Sequence, residues 1–295
     1  MGRWGRWVRL YHGASWDGAA AVSAVAGCVG LFVEAGLRTT TRDADSADNC
    51  RYTPTTKLLT PEHVRTLEQD GLVVLTGVLS TSALAAARRD AVKVRKRAST
   101  TNEDYRDDAI CWVRESDGTA DAGADERRLE PIGKGLLHCL RLLRGVASEL
   151  ESKAYDESTV GGYRVPKQCQ LACYGGGSSG YFRHRDRCMS DFFELGPLEY
   201  LRLSDYRDRA VTAILYLNEA WPLVDGGALR CFGERDSPDS PQAFQDIAPA
   251  GGTLVLFHAG RIDHAVLPAR KDRYALTLWI AKPGFQQRPP RLDDS

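Results

Sequence analysis

Two distant segments of this chain carry polar side chains that could form one site if the fold brings them together. The stretch 180–186 ends in a His-x-Asp pair, His184 and Asp186. Far downstream, a Gly-Gly turn and an apolar strand lead through a loop to His264, and Arg273 follows. On a strand, side chains at i and i+2 project from one face, so His184 and Asp186 converge while Arg185 points away. We expect a β architecture that brings these residues to one face.

Two imidazoles and one carboxylate on one face are the ligands with which proteins hold ferrous iron and leave other coordination positions open. A closed structural metal site would need four thiolates or imidazoles. His184, Asp186 and His264 are therefore candidate iron ligands. A His-x-Asp pair alone occurs by chance in many proteins, so the prediction also depends on the residues downstream of His264.

The segment 273–280 alternates as a strand does, which places Arg273, Thr277 and Trp279 on one face. An arginine on an otherwise apolar strand face indicates a buried anion partner, because burial of an unpaired guanidinium is costly. A carboxylate held by both prongs of the guanidinium would offset that cost through charge-assisted hydrogen bonds. The alternative places Arg273 in solvent at the first residue of the strand.

Several further motifs follow one another in order. Residues 171–186 read Leu-Ala-Cys-Tyr-Gly-Gly-Gly-Ser-Ser-Gly-Tyr-Phe-Arg-His-Arg-Asp. They are followed by Ile214–Trp221, Asp225–Arg230, His264–Pro268 and Arg273–Trp279. In order and spacing, this set resembles the prolyl hydroxylase domain oxygenases, the type that modifies hypoxia-inducible factor. The resemblance is strong over residues 165–283 and looser upstream to residue 60, where residues 109–113 also fit.

The resemblance implies a mainly β protein with flanking helices, namely a double-stranded β-helix (jelly-roll) core with N-terminal support helices. It also implies iron(II) held by His184, Asp186 and His264, with 2-oxoglutarate and O₂ as co-substrates and L-ascorbate as an accessory. Arg273 would pair with the distal carboxylate of 2-oxoglutarate. The other residues expected in the co-substrate pocket are Tyr216, Tyr174, Thr277 and Leu229. Those expected to face the substrate are Tyr181, Arg209 and Trp279.

The leading prediction of function is an Fe(II)- and 2-oxoglutarate-dependent dioxygenase that 4-hydroxylates proline in a protein or peptide and produces succinate and CO₂. The loop between Asp186 and Arg209 is longer than is usual in the family, which leaves open a lysyl side chain or a small molecule as the target. A third alternative is a barrel that binds a partner without turnover. Nucleic acid is not expected, since no basic stripe interleaved with aromatics is evident and acidic and basic residues balance at 39 each.

The chain divides into an N-terminal extension and linker (1–57), a helical support region with a lid loop (58–160), an oxygenase core (161–285) and a tail (286–295). Capping residues and apolar spacing predict helices from Pro61, over 82–97 and over 132–152, with a short strand at 71–75. The acidic stretch 99–131 is expected to be a solvated loop or, by resemblance, a mobile lid. Gly226 and Gly227 are expected to form a hairpin turn.

The N-terminal extension begins with three arginines and continues into a charge-free run rich in Ala, Val and Gly at 18–33. This run is shorter than the roughly 20 residues of a spanning helix, but a basic start before an apolar stretch is typical of targeting segments. Organelle or membrane targeting is thus an alternative to an unstructured extension. The eight cysteines lack CxxC spacing, which favours free buried thiols, a reducing compartment and a cytoplasmic or nuclear location.

Overall fold

The computed structural model describes residues 57–96, 98–100, 106–114, 120–121, 132–153, 162–166, 168–187, 204–233 and 243–282. The predictions about the N-terminal extension, the loop at 188–203 and the C-terminal tail lie outside these ranges. Within them, no helix is both long enough and apolar enough to cross a membrane.

Local capping fixes the first helix where the sequence places it. Helix α1 (Pro61–Asp70) starts after Thr60, whose hydroxyl accepts a hydrogen bond from the amide of His63. Proline at the first helical position costs nothing there, because its missing N–H would have no partner in the helix. The helix ends at Gly71, whose φ of 79° is the left-handed conformation that glycine adopts without strain.

Two longer helices pack against each other and form the rest of the support layer. Helix α2 (Thr81–Arg95) and helix α3 (Lys134–Lys153) are joined by Asp90, whose carboxylate accepts hydrogen bonds from the amides of Gly135 and Leu136. This contact satisfies two of the free N–H groups at the start of α3. The buried apolar positions recur at helical spacing and include Ala87, Ala91, Val94, Leu136, Leu140, Leu143 and Val146.

Two antiparallel sheets contain the described strands. The larger sheet comprises β1 (Leu72–Leu75), β2 (Ser99–Thr100), β3 (Asp108–Arg114), β4 (Ala120–Asp121), β5 (Gln168–Tyr174), β7 (Arg209–Tyr216), β10 (Leu254–His258) and β12 (Arg273–Ala281). The smaller sheet comprises β6 (Tyr181–His184), β8 (Leu229–Phe232), β9 (Phe244–Ile247) and β11 (Asp263–Val266). The strand orders are β1-β10-β7-β12-β5-β3-β2, with β4 beside β3, and β6-β11-β8-β9. A short helix, α4 (Ser204–Arg207), precedes β7.

The two faces of the larger sheet have different partners. On β5, Leu171 and Cys173 belong to the apolar cluster shared with the helices, whereas Ala172 and Tyr174 belong to a second cluster shared with the smaller sheet. This alternation follows from the two-residue period of a strand. The arrangement confirms the predicted jelly-roll core with support helices, and it directs every second residue of the central strands into the space between the sheets.

Three local expectations are wrong. His264 lies on strand β11 rather than in a loop. Gly226 and Gly227 do not form a hairpin turn, because β7 and β8 lie in different sheets and a 3-10 turn (Leu223–Asp225) precedes these glycines in the connection between them. Asp108 is fully buried at the start of β3 rather than in a solvated loop. The remainder of the acidic stretch lies mostly outside the described residues.

Candidate active site

The predicted metal-ligand triad is assembled by the smaller sheet. Strand β11 places His264 directly opposite His184 of β6, and Asp186 follows two residues after His184. The Nε2 atom of His184 lies 3.6 Å from Oδ1 of Asp186, and Nε2 of His264 lies 3.8 Å from Oδ2. Ligand atoms from all three residues lie within 4.8 Å of one another. Three side chains from distant parts of the sequence can therefore hold a single ion.

Hydrogen bonds around the triad set the direction of each ligand atom. Nδ1 of His184 lies 2.7 Å from the carbonyl oxygen of Phe182, and Nδ1 of His264 lies 3.4 Å from that of Ile262. A proton on Nδ1 leaves the Nε2 lone pair free to bind a metal. The hydroxyl of Thr212, on the larger sheet, donates to Oδ2 of Asp186 at 2.7 Å.

The charges at the triad favour the forms that bind metal. Burial alone would raise the pKa of Asp186, but the nearby imidazoles of His264 and His184 and the guanidinium of Arg209 hold it well below its usual range. Burial and the neighbouring His184 lower the pKa of His264 to about 4. At neutral pH the site therefore offers a carboxylate and a neutral His264 imidazole, as metal coordination requires.

Arg273 is buried between the sheets, and no described residue is its ionic partner. Its side chain is 1% exposed, its Nε donates to the carbonyl of Gly227 at 2.8 Å, and its Nη2 lies 3.2 Å from the hydroxyl of Tyr216. It forms no ion pair with any residue that the structure describes. A guanidinium carries five N–H donors, so several stay available for an external carboxylate. The solvent-exposed alternative for Arg273 is excluded.

The other residues predicted for the co-substrate pocket surround Arg273 or lie along its strand. The Tyr174 ring is centred 5.2 Å from the guanidinium carbon of Arg273. Burial raises the pKa of Tyr216 to about 12, so its hydroxyl keeps its proton. Thr277 lies four residues along the same strand, and Leu229 lies in the facing sheet; they are 8% and 1% exposed.

A buried ion pair that the sequence analysis did not identify supports two of the predicted tyrosines. Arg106 and Asp108 form two hydrogen bonds, at 2.7 and 2.5 Å, and are 3% and 0% exposed. The Asp108 carboxylate also accepts a hydrogen bond from the hydroxyl of Tyr174. The guanidinium of Arg106 lies 4.7 Å from the ring centre of Tyr181, which itself stacks on His184 at 3.9 Å. This pair therefore contacts both the Arg273 end and the metal-ligand end of the site.

The predicted substrate-facing residues Arg209 and Trp279 lie together beside Asp186. The guanidinium of Arg209 lies 4.1 Å from the ring centres of both Tyr206 and Trp279. One of its N–H groups donates to the backbone carbonyl of Asp186 at 3.1 Å. Tyr181 stacks against His184 of the triad. The structure thus places all three predicted residues around the metal-ligand triad.

The donor chemistry of the site fits iron(II) and a dicarboxylate. Two imidazole nitrogens and one carboxylate oxygen are the ligand set of non-haem iron oxygenases, and three protein ligands leave other positions open. A buried guanidinium that lacks a counter-ion within the described residues is suited to the carboxylate of a small acid.

Comparison with known proteins agrees with this geometry. Residues 169–281 match the family model described as the 2OG-Fe(II) oxygenase superfamily. This part of the chain is therefore a 2OG-Fe(II) oxygenase domain, whose chemistry uses iron(II), 2-oxoglutarate and O₂.

Curated and solved relatives share this domain. The chain is 31% identical over 185 residues to Egl nine homolog 1 of Rattus norvegicus, covering 61% of this chain and 43% of that protein. The structure is similar to a Pseudomonas putida prolyl-4-hydroxylase (TM-score 0.53, 25% identity, 76% of this chain and 98% of that chain). It is also similar to a Trichoplax adhaerens prolyl hydroxylase solved with a peptide of the hypoxia inducible factor oxygen degradation domain (TM-score 0.51, 26% identity, 74% and 87%). The chain thus spans less than half the length of the rat protein.

Proposed function

We propose that this chain is an Fe(II)- and 2-oxoglutarate-dependent prolyl hydroxylase that 4-hydroxylates proline in a protein or peptide. The observation that carries the proposal is the meeting of His184, Asp186 and His264 within 4.8 Å, in a site that also contains the buried Arg273, which has no carboxylate partner among the described residues. The similarity to prolyl hydroxylases, which includes one solved with a peptide, supports proline as the target.

In this proposal, iron(II) is held by His184, Asp186 and His264, and 2-oxoglutarate by Arg273. Bound iron would supply the oxidising chemistry that uses O₂ and 2-oxoglutarate to convert a substrate C–H group into C–OH, with succinate and CO₂ as the other products. L-Ascorbate is proposed as the accessory reductant.

The chain's own side chains prepare the site for this reaction. Thr212 and the carbonyls of Phe182 and Ile262 orient the metal ligands, so their geometry is set before the ion binds. The protonated hydroxyl of Tyr216 lies beside Arg273 and offers a further donor to the same carboxylate. The apolar lining between the sheets excludes water, which strengthens each of these polar contacts.

The space between the sheets has the metal-ligand triad at one end, Arg273 at the other and apolar side chains between them, which suits the proposed co-substrate. Arg273 pairs across the sheet with Tyr174, and the next inward-facing pair is Ala275 with Ala172. Both alanine side chains are small and apolar, which suits the carbon chain of a short dicarboxylic acid next to Arg273. Residues 229 and 266 of the smaller sheet contribute the apolar cover on the opposite side.

The test is incubation of the purified chain with iron(II), 2-oxoglutarate, O₂ and proline-containing peptides. Prolyl hydroxylation predicts a gain of one oxygen on proline, with succinate formed in equal amount. Oxygen on a lysine or on a small molecule would replace the substrate assignment while preserving the oxygenase chemistry. A protein that binds iron and 2-oxoglutarate but never forms succinate would contradict the enzymatic function.

We also propose that the protein resides in a reducing compartment, the cytoplasm or nucleus. All five cysteines for which the structure describes side chains are free and buried: Cys111, Cys139, Cys169, Cys173 and Cys231. This supports the proposal, because disulfides would be expected in an oxidising compartment. Fractionation of cells that express the full chain would test it.

A further inference from the structure

Gln170 carries a buried hydrogen-bond donor that no residue described by the structure accepts. Gln170 lies on β5 and is 5% exposed, and its side-chain Nε2 has no hydrogen-bond partner within the described part of the chain. Buried polar groups are normally paired, so an unpaired carboxamide lowers stability unless something outside the chain binds it.

The strand register places Gln170 on the face of the larger sheet that also carries Arg273. Gln170, Ala172 and Tyr174 alternate along β5, so Gln170 faces the space between the sheets, as Tyr174 does. It pairs across the larger sheet with Thr277 on one side and with Trp112 on the other. Gln170 is thus on the face that carries the co-substrate anchor, two inward positions further along the sheet.

A second unpaired donor lies diagonally across from Gln170. Trp279 is two residues beyond Thr277, and its indole Nε1 is also buried without a hydrogen-bond partner among the described residues. Diagonal neighbours on one sheet face are roughly 7–8 Å apart, within reach of long side chains. The rings of Trp279 and Trp112 have centres 6.0 Å apart. The Gln170 carboxamide and the Trp279 indole thus each offer an N–H donor without a partner among the described residues, next to the ring of Trp112.

This subsite is next to the metal ligands. Trp279 packs on the guanidinium of Arg209 at 4.1 Å, and Arg209 donates to the backbone carbonyl of Asp186. Arg273 lies four residues from Thr277 along β12, a rise of roughly 13 Å. The two donors are therefore displaced along the sheet from Arg273, and Trp279 is linked to Asp186 through Arg209.

We propose that Gln170, together with the indole N–H of Trp279, binds the backbone carbonyls that flank the target proline. A peptidyl proline has no backbone N–H, so its own carbonyl and that of the preceding residue are the hydrogen-bonding groups it presents. A subsite for a peptidyl proline must supply hydrogen-bond donors and an apolar surface. The N–H groups of Gln170 and Trp279 are the donors, and the two indole rings are the apolar surface. This inference rests on the proposed function and assigns Gln170 as a specificity-determining residue.

The test compares wild type with Gln170→Leu and Gln170→Glu, using the capped peptide acetyl-Ala-Ala-Pro-Ala-Ala-amide. Loss of one hydrogen bond should lower kcat/KM for the peptide and weaken its anaerobic binding to iron- and 2-oxoglutarate-loaded protein by about tenfold in Gln170→Leu. Gln170→Glu should lose more, because a carboxylate would face the peptide carbonyl. The KM for 2-oxoglutarate should not change in Gln170→Leu.

Thermal unfolding separates recognition from a structural role. Gln170→Leu removes an unpaired buried donor, so its melting temperature should equal or exceed that of wild type while peptide binding falls. The matched control is Gln245→Leu, because Gln245 is an exposed glutamine on β9. The control should retain peptide binding.

Each result has a distinct meaning. Unchanged peptide binding in both Gln170 variants, or a shift confined to the KM for 2-oxoglutarate, overturns the subsite even if wild type hydroxylates proline. If wild type binds the peptide without hydroxylating it, prolyl hydroxylation fails while the ratio of binding constants still decides the subsite. If wild type neither binds nor hydroxylates the peptide, both proposals fail.

Discussion

Arg273→Lys tests whether the buried guanidinium binds 2-oxoglutarate. Lysine keeps the positive charge but loses the planar fork, along with the donors that contact Gly227 and Tyr216. Loss of one charge-assisted hydrogen bond costs about 1.5–3 kcal/mol, which corresponds to a roughly 10- to 150-fold rise in the KM for 2-oxoglutarate. Because the metal ligands are untouched, kcat at saturating 2-oxoglutarate should change much less.

The assay measures succinate formation by iron-loaded protein over a range of 2-oxoglutarate concentrations, with direct binding of 2-oxoglutarate as a second readout. The matched control is Arg230→Lys, because Arg230 forms a two-pronged pair with Asp246 at the surface. Exposed pairs contribute little, so the control should keep its KM. An unchanged KM in Arg273→Lys, or an equal rise in both variants, would refute the assignment of Arg273 as the anchor.

Three further predictions concern groups around the site and in the fold. Thr212→Val should lower iron affinity by roughly 10- to 100-fold in a metal titration, because the variant loses the hydrogen bond to Asp186. Thr212→Ser keeps a hydroxyl and should restore the affinity. Equal affinities in all three proteins would contradict a role of Thr212 in orienting Asp186. Gly227→Ala should raise the KM for 2-oxoglutarate, because the new Cβ would lie 3.2 Å from Cδ of Arg273 at a φ of +70°. Gly77→Ala is its control, with the same backbone strain at φ +68° and no atom within 4 Å of the new Cβ; an equal effect of both would assign the loss to strain. Burial and Arg261 lower the pKa of His258 to about 4 in the folded state, against 6.5 for the free side chain. The contribution of neutral His258 to the free energy of unfolding is therefore present above pH 6.5 and is lost as the pH falls towards 4. Urea unfolding of metal-free protein should show wild type losing about 2 kcal/mol more than His258→Asn between pH 7 and pH 5, and parallel losses would show that His258 is not responsible.

Short-range patterns were sufficient to predict which of the candidate side chains share a strand face. The two-residue period of a strand placed His184 with Asp186, and Arg273 with Thr277 and Trp279, on shared faces. Capping chemistry located the start of α1 at Thr60. These predictions succeeded because each depends on interactions between residues a few positions apart, which the sequence displays directly.

Contacts between the sheets could not be predicted in this way. The hydrogen bond from Thr212 to Asp186 joins β7 of the larger sheet to the segment that follows β6 of the smaller sheet, and the contact of Arg273 with Gly227 depends on the path of the connection between β7 and β8. No local pattern encodes either distance. Both contacts became evident only from the tertiary arrangement.

Asp108 shows a different kind of failure. Its neighbours are acidic and polar, so composition indicated a solvated loop. The strand period was nevertheless available, since Asp108, Ile110 and Trp112 alternate on β3. An acidic residue at an inward position of a buried strand requires a cationic partner, and Arg106 is two residues away. The two-residue alternation along β3, unlike the composition of the segment, indicates this pair.

The division of the site between the two sheets has a mechanical consequence. The triad belongs mainly to β6 and β11, whereas Arg273 belongs to β12 of the other sheet. A dicarboxylate that reaches both the ion and Arg273 would link the two sheets at the site, in addition to backbone contacts such as the bridge between Arg106 and Tyr181. Backbone amides of β6 and β11 should accordingly exchange with deuterium more slowly when iron and 2-oxoglutarate are bound together than with iron alone.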